Sequence, residues 1–139
     1  MDNVKDCVIF LLAKAYQRAH GAFKKRLNEY GLTPIQHLIL VVLWDEDGLS
    51  ASGISERLVL DQATLSGVLD RMVSGGWILK QPDPEDKRTL RICLSHKGIS
   101  LKPKLTTARD QANQECLHGL TMEEKVLLKR LLKDISYTK

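Results

Sequence analysis

Only three residues, Val59-Leu60-Asp61, separate two short segments of helical patterning between residues 50 and 74. So short a joint turns the second helix sharply against the first, which is helix-turn-helix spacing. Ser50 can cap the first helix, which runs through about Leu58; Asp61 can cap the second, over about residues 62–74, with Gly75-Gly76 closing it. In the second helix Leu65, Leu69 and Met72 share one face and should point inward. Gln62, Thr64, Ser66 and Gly67 then face outward near its N-terminus, and Arg71 follows one turn later. Small polar side chains let a helix approach base edges, and the N-terminal half of this helix is the part that enters a major groove in the motif.

The stretch that follows adds a second device. Trp77-Ile78-Leu79 is a short apolar run, Asp83 through Asp86 reads as a turn, and Leu90, Ile92 and Leu94 alternate with Arg91 and Cys93. This predicts a two-stranded hairpin whose charged tip carries Lys87 and Arg88. A hairpin directly after such a helix is a wing, and its basic tip can lie on phosphate or enter a minor groove. Each part has a plain alternative, since helix pairs are common in all-α proteins and residues 62–67 could be a solvated face. The helix pair together with Lys87, Arg88 and Arg91 favours nucleic acid.

The flanks are helical. Val4, Val8, Leu11, Leu12, Ala15, Ala19, Phe23 and Leu27 predict one long helix over about residues 3–29, ended by Gly31. Thr33-Pro34-Ile35-Gln36 is a capping box opening a helix to about Asp45. Ser95 starts another, with Leu101, Leu105, Ala108, Ala112 and Cys116 on one face, and Pro103 inside it predicts a kink or a delayed start. Thr121 to Glu124 is a further capping box, followed by a broad stripe of Val126, Leu127, Leu131, Leu132 and Ile135. The expected fold is therefore α+β and mostly α.

Composition narrows the function classes. A net charge of +4 is too mild to establish a nucleic-acid partner alone. Three cysteines without a CxxC pair argue against a disulfide scaffold and for a reducing compartment. The apolar run Ile35–Trp44 contains Gln36 and His37 and is too short for a bilayer, and Asp2, Lys5 and Asp6 break any signal-peptide core, so a cytoplasmic protein without membrane partners is expected. There is no Gly-rich phosphate loop, HExxH or GxSxG, so no enzyme is expected; His20, His37, His96 and Cys116-x-His118 lack metal-ligand spacing, so neither metal nor cofactor is expected.

The segment DPEDKRTLRICLSHKG, preceded by LSASGISERLVLDQATLSGVLDRMVSGGWI, resembles the winged helix-turn-helix core of the MarR family of bacterial transcription regulators. That family's wing signature is Asp-x-Arg, five residues, then Leu or Ile and Thr; here stand Asp86-Lys87-Arg88, five residues, Leu94 and Ser95. GLTPIQHLILVVLW is similar to the family's second helix. The resemblance implies one domain over 1–139, with a core at 33–97 between dimerisation helices at 1–32 and 98–139. It implies that Arg88 reaches the minor groove, that Asp86 holds Arg88 by a salt bridge, and that Thr64, Ser66 and Arg71 face the major groove or its phosphates. Gly67 departs from the larger polar or basic residue often found there.

The terminal stripes point the same way, because one small winged core cannot cover them. The alternatives are helix 1 packed on the last helix within one chain, or both helices shared across a two-fold axis in a homodimer on a pseudo-palindromic operator. The resemblance also implies release from DNA by a small aromatic or anionic effector between dimer helices and core, with Lys14, Arg18 and His37 as candidate contacts, and repression as the sign of regulation. The bland readings are solvated charges for Lys14 and Arg18, and a hydrogen-bonded interface residue for His37. Two other functions compete: a thiol sensor working through Cys7, and a winged-helix module that binds protein. Cys7 lacks a tyrosine one turn on, where Leu11 stands.

Overall fold

A computed structural model describes residues 3–137. Helix α1 spans Val8–Leu27. It starts later than the periodicity predicts, because the chain forms a 3-10 turn at Val4–Asp6 and then extends at Cys7 (ψ 124°). Another 3-10 turn, Asn28–Tyr30, tightens its end, and Gly31 takes the left-handed conformation (φ +69°) that favours glycine. Helix α2 covers Pro34–Asp45, and the predicted capping box is formed: Gln36 N–H donates to Thr33 Oγ1 (3.3 Å) and Thr33 N–H to Gln36 Oε1 (3.0 Å). Helices α3 (Ala51–Leu58) and α4 (Gln62–Ser74) begin at the expected caps, Ser50 and Asp61.

The hairpin strands are β2 (Ile78–Pro82) and β3 (Leu90–Leu94), antiparallel with Ile78 opposite Leu94 and Pro82 opposite Leu90. A third strand, β1 (Leu49–Ser50), was not expected. Two residues show no alternation; the strand exists because β3 offers a free edge, where Leu49 pairs with Ile92 and Ser50 with Arg91. The sheet order is β1-β3-β2. The helix predicted after Ser95 is two helices, α5 (His96–Ser100) and α6 (Lys102–Cys116). Pro103 sits in the first turn of α6, where its missing N–H leaves no helical bond unmade, so the helix restarts rather than kinks. Helix α7 (Met122–Tyr137) follows, opened by reciprocal bonds between Thr121 and Glu124.

The core joins all layers: Leu27 from α1, Ile39, Leu40 and Leu43 from α2, Ile54 from α3, Leu65, Leu69 and Met72 from α4, Ile78 and Ile92 from the sheet, and Leu105 from α6. Within the chain α1 lies against α6. The intramolecular packing of helix 1 on the last helix, weighed from the sequence, is not what forms: no residue of α7 is buried, and Val126 and Ile135 are 65% and 60% exposed. Val8, Ile9 and Tyr16 on α1 are exposed as well. Among the described residues, no helix is long and apolar enough to cross a membrane.

Candidate nucleic-acid interface

The joint between α3 and α4 is held by backbone and side chain together. Val59 adopts the left-handed conformation (φ 54°), unusual for a β-branched residue. Two bonds fix it there: Leu60 N–H donates to Ser55 O (3.2 Å), and the Ser55 hydroxyl donates to Leu60 O. Asp61 accepts from Thr64 N (2.7 Å) and Thr64 Oγ1 (2.9 Å). Those two bonds hold the Asp61 carboxyl below its usual range. Because Leu65, Val68, Leu69 and Met72 are buried, α4 can turn only one face to solvent. Gln62, Thr64, Ser66 and Arg71 are all exposed on it. Thr64 gives its hydroxyl proton to Asp61, so it presents lone pairs and a methyl group outward. Gln62 reaches Ser52 Oγ on α3 (3.4 Å). The Arg71 guanidinium lies back along the helix over Gly67, where an added Cβ would meet its Nη1 at 3.5 Å, an ordinary contact.

The wing tip is organised by two aspartates. Asp86 Oδ1 accepts from both the backbone N–H (3.1 Å) and Nε (3.2 Å) of Arg88, forming the predicted pair. The Arg88 side chain is still 92% exposed, and Lys87 is exposed beside it. An ion pair that exposed adds little stability; its effect is to aim the side chain. Asp83, read from the sequence only as a turn residue, closes the tip by donating its N–H to Thr89 O (2.8 Å) and takes Arg91 Nε on its carboxylate (3.1 Å). Arg91 also donates from Nη1 to Gly48 O (3.0 Å), so its guanidinium is tied down although the side chain is half exposed. The wing is further tied to α4 by Lys80 Nζ on Asp70 Oδ1 (2.6 Å).

At the wing root, Ser95 stands where the family motif has threonine and still caps α5, its Oγ accepting from Gly98 N (3.1 Å). Gly98 packs so closely that a Cβ there would fall 2.5 Å from Trp77 O. From α2, Trp44 Nε1 donates to Gly98 O (2.9 Å).

The three predicted effector contacts do not form one open site: Lys14 and Arg18 lie one turn apart on exposed α1, whereas His37 is enclosed. His37 is fully buried, edge-on to Phe23 (4.8 Å between ring centroids) and Trp44 (5.7 Å), and neither ring nitrogen has a protein partner. It is a core residue, neither the hydrogen-bonded interface residue nor the accessible ligand contact that the sequence suggested. Burial first, and the Arg109 charge second, lower its pKa to about 4. Lys14 and Arg18 are exposed on α1, Lys14 lying over the Phe10 ring. None of the three lines the cavity of about 640 Å³ between α1 and α6, which is bordered by Lys25, Arg26, Tyr30 and Lys104 among others. Arg26 is fixed there by Gln111 (3.0 Å) and Glu115 (3.1 Å), and its Nε is buried without a partner. Nothing in the local pattern marked Arg26, because the groove exists only once α1 and α6 are docked. Cys7 is exposed at the start of α1. Burial raises the Cys93 thiol, which disfavours its reactive form. Among the described residues no group of three His, Cys, Asp or Glu side chains is placed to hold a metal.

A tightly jointed helix pair with a polar outward face, followed by a hairpin with a free basic tip, defines a winged helix-turn-helix protein. Residues 32–90 match the model of the MarR family. The chain is 34% identical over 90% of its length to the HTH-type transcriptional regulator TtmR of Methylorubrum extorquens, and spans 62% of that protein. It is 29% identical over 94% of its length, and 83% of the relative's, to the HTH-type transcriptional repressor NicR of Pseudomonas putida. BpsR of Bordetella bronchiseptica, whose DNA binding is regulated by 6-hydroxynicotinic acid, superposes with a TM-score of 0.91 at 27% identity, covering 100% of this chain and 99% of its own. The chain belongs to the MarR family of transcription regulators.

Proposed function

We propose that this protein reads a pseudo-palindromic DNA operator as a homodimer, represses by occupying it, and releases it when a small aromatic or anionic effector binds. One observation carries the reading: α4 turns Gln62, Thr64, Ser66 and Arg71 outward while the adjacent wing holds Lys87 and Arg88 free at its tip. Here α4 would lie in a major groove, with Thr64 and Ser66 at base edges and Arg71 on a base or phosphate, while Arg88, aimed by Asp86, enters the adjoining minor groove. Residues 33–97 form the reading core; 1–32 and 98–139 supply the dimer helices, of which 1–2 and 138–139 lie outside the described residues. The similarity to a repressor, NicR, and to BpsR supports repression and effector control. For the effector, Lys25, Arg26 and Lys104 around the α1–α6 cavity, which Glu29 and Glu115 also line, share one open site as Lys14, Arg18 and His37 do not. The protein acts by binding, without catalysis, in the cytoplasm.

The test is selection of bound duplexes from a random pool, repeated with aromatic acids. Enrichment of an inverted repeat supports the reading, whereas recovery of unselected sequence at low salt alone rejects it. The protein-interaction module is separated by the same experiment, since such a module enriches nothing. A thiol sensor working through Cys7 would release DNA on peroxide and lose that response in Cys7→Ser.

A further inference from the structure

The wing carries three cations near its end, yet they are held differently. Arg88 is 92% exposed, whereas Arg91 sits on the central strand with both Nε and Nη1 engaged. Its partners come from opposite sides of the sheet. Asp83 follows β2, and Gly48 precedes β1. One planar guanidinium thus spans β3 and ties both of its neighbours. Each partner is itself fixed. The Asp83 side chain is only 15% exposed and accepts from Glu85 N (2.9 Å) as well. Gly48 takes a left-handed conformation (φ +79°), and its N–H donates to Ile92 O (3.0 Å) and to Asp47 Oδ1 (2.9 Å). The opposite carboxylate oxygen and the carbonyl are therefore presented at set positions to a donor with set angles. A lysine ammonium has the charge but not the fork.

We propose that Arg91 is a positioning residue: its bridge from Asp83 to Gly48 fixes the angle of the wing against the helix-turn-helix and so sets the reach of Arg88. The inference rests on the DNA-reading proposal for its readout in binding. Two independent fixings act on the wing, since Lys80 on Asp70 holds β2 to α4 (2.6 Å) while Arg91 holds the loop end to the β1 turn.

The test compares Arg91→Lys, Arg88→Ala and the double variant by titration of a selected operator over a salt series. Arg91→Lys keeps the charge, so the salt slope should stay at the wild-type value while affinity falls by about tenfold; Lys87→Ala should instead lower the slope by about 1. In the Arg88→Ala background Arg91→Lys should change affinity by less than about twofold, because the group being positioned is gone. An equal loss in both backgrounds, or wild-type binding by Arg91→Lys, overturns the proposal. Amide exchange without DNA is the second readout: Thr89 and Gly48 should exchange faster in Arg91→Lys, and unchanged rates also overturn it. Faster exchange in a protein whose wild type selects no DNA sequence would instead reject the DNA reading and keep the brace.

Discussion

Asp61 and His37 show how differently two side chains can be read from the same chain. Asp61 caps a helix whose start is local, so its role is visible in sequence and its acceptor bonds to Thr64 follow. His37 carries no local sign of its fate; only docking of α1 on α2 closes Phe23 over it. Its pKa, lowered to about 4, gives a stability prediction. The unfolded imidazole takes a proton near its ordinary 6.5, and the folded one only near 4, so the unfolded state binds more protons across that window. The contribution is complete above pH 6.5 and is lost as pH falls towards 4. Thermal unfolding of wild type should therefore decline more steeply over this range than that of His37→Leu; parallel curves would reject the assignment. At the interface, Arg88→Ala should weaken operator binding by ~1–3 kcal/mol if its contact is to a base. Lys87→Ala should weaken all sequences alike, since phosphate contacts position and base contacts specify. Titrations on selected and scrambled duplexes distinguish the two, and a changed preference in Lys87→Ala would reverse the roles.

Among the elements, those set by caps and punctuation were legible: α2, α3, α4 and α7 begin at Thr33, Ser50, Asp61 and Thr121, where the sequence placed them. The wing strands and the Asp86–Arg88 pair were legible too, because alternation and turn chemistry are local signals. What escaped depends on partners distant in sequence. Strand β1 exists through β3, and the clamp by Arg91 needs the hairpin register to bring Asp83 and Gly48 within reach. The α1–α6 cavity with its anchored Arg26 requires two helices that are far apart along the chain. Helix α7 makes a prediction of its own. Its apolar residues, Leu131 at 41% exposure among them, are only partly covered in one chain. Leu131→Glu should dissociate the proposed dimer at micromolar concentration, because a buried unpaired charge is strongly unfavourable. Sedimentation of wild type as a stable monomer would defeat this.

For the whole molecule, the proposed effector control would have to pass between the helices that pair the subunits and the cores that read DNA. An effector shifts that equilibrium only by its differential affinity for the two arrangements, typically ~1–3 kcal/mol. On the proposed reading, aromatic carboxylates should release operator DNA from wild type, and Arg26→Gln should blunt the response, since it removes a positive charge from the α1–α6 cavity and leaves Glu115 there unpaired. Release by organic hydroperoxide alone, abolished in Cys7→Ser, would replace this ligand response by thiol chemistry.

The crowding at Gly98 has a mechanical meaning. Trp44 of α2 holds its carbonyl, Ser95 holds its amide, and the Trp77 carbonyl fills the space where any side chain would begin. Helix α5, which leads into α6, is thus seated on the wing root without a spacer. Such a joint behaves as a bearing with almost no clearance. A rotation of α5 would then reach the wing as rotation instead of being absorbed in slack between layers.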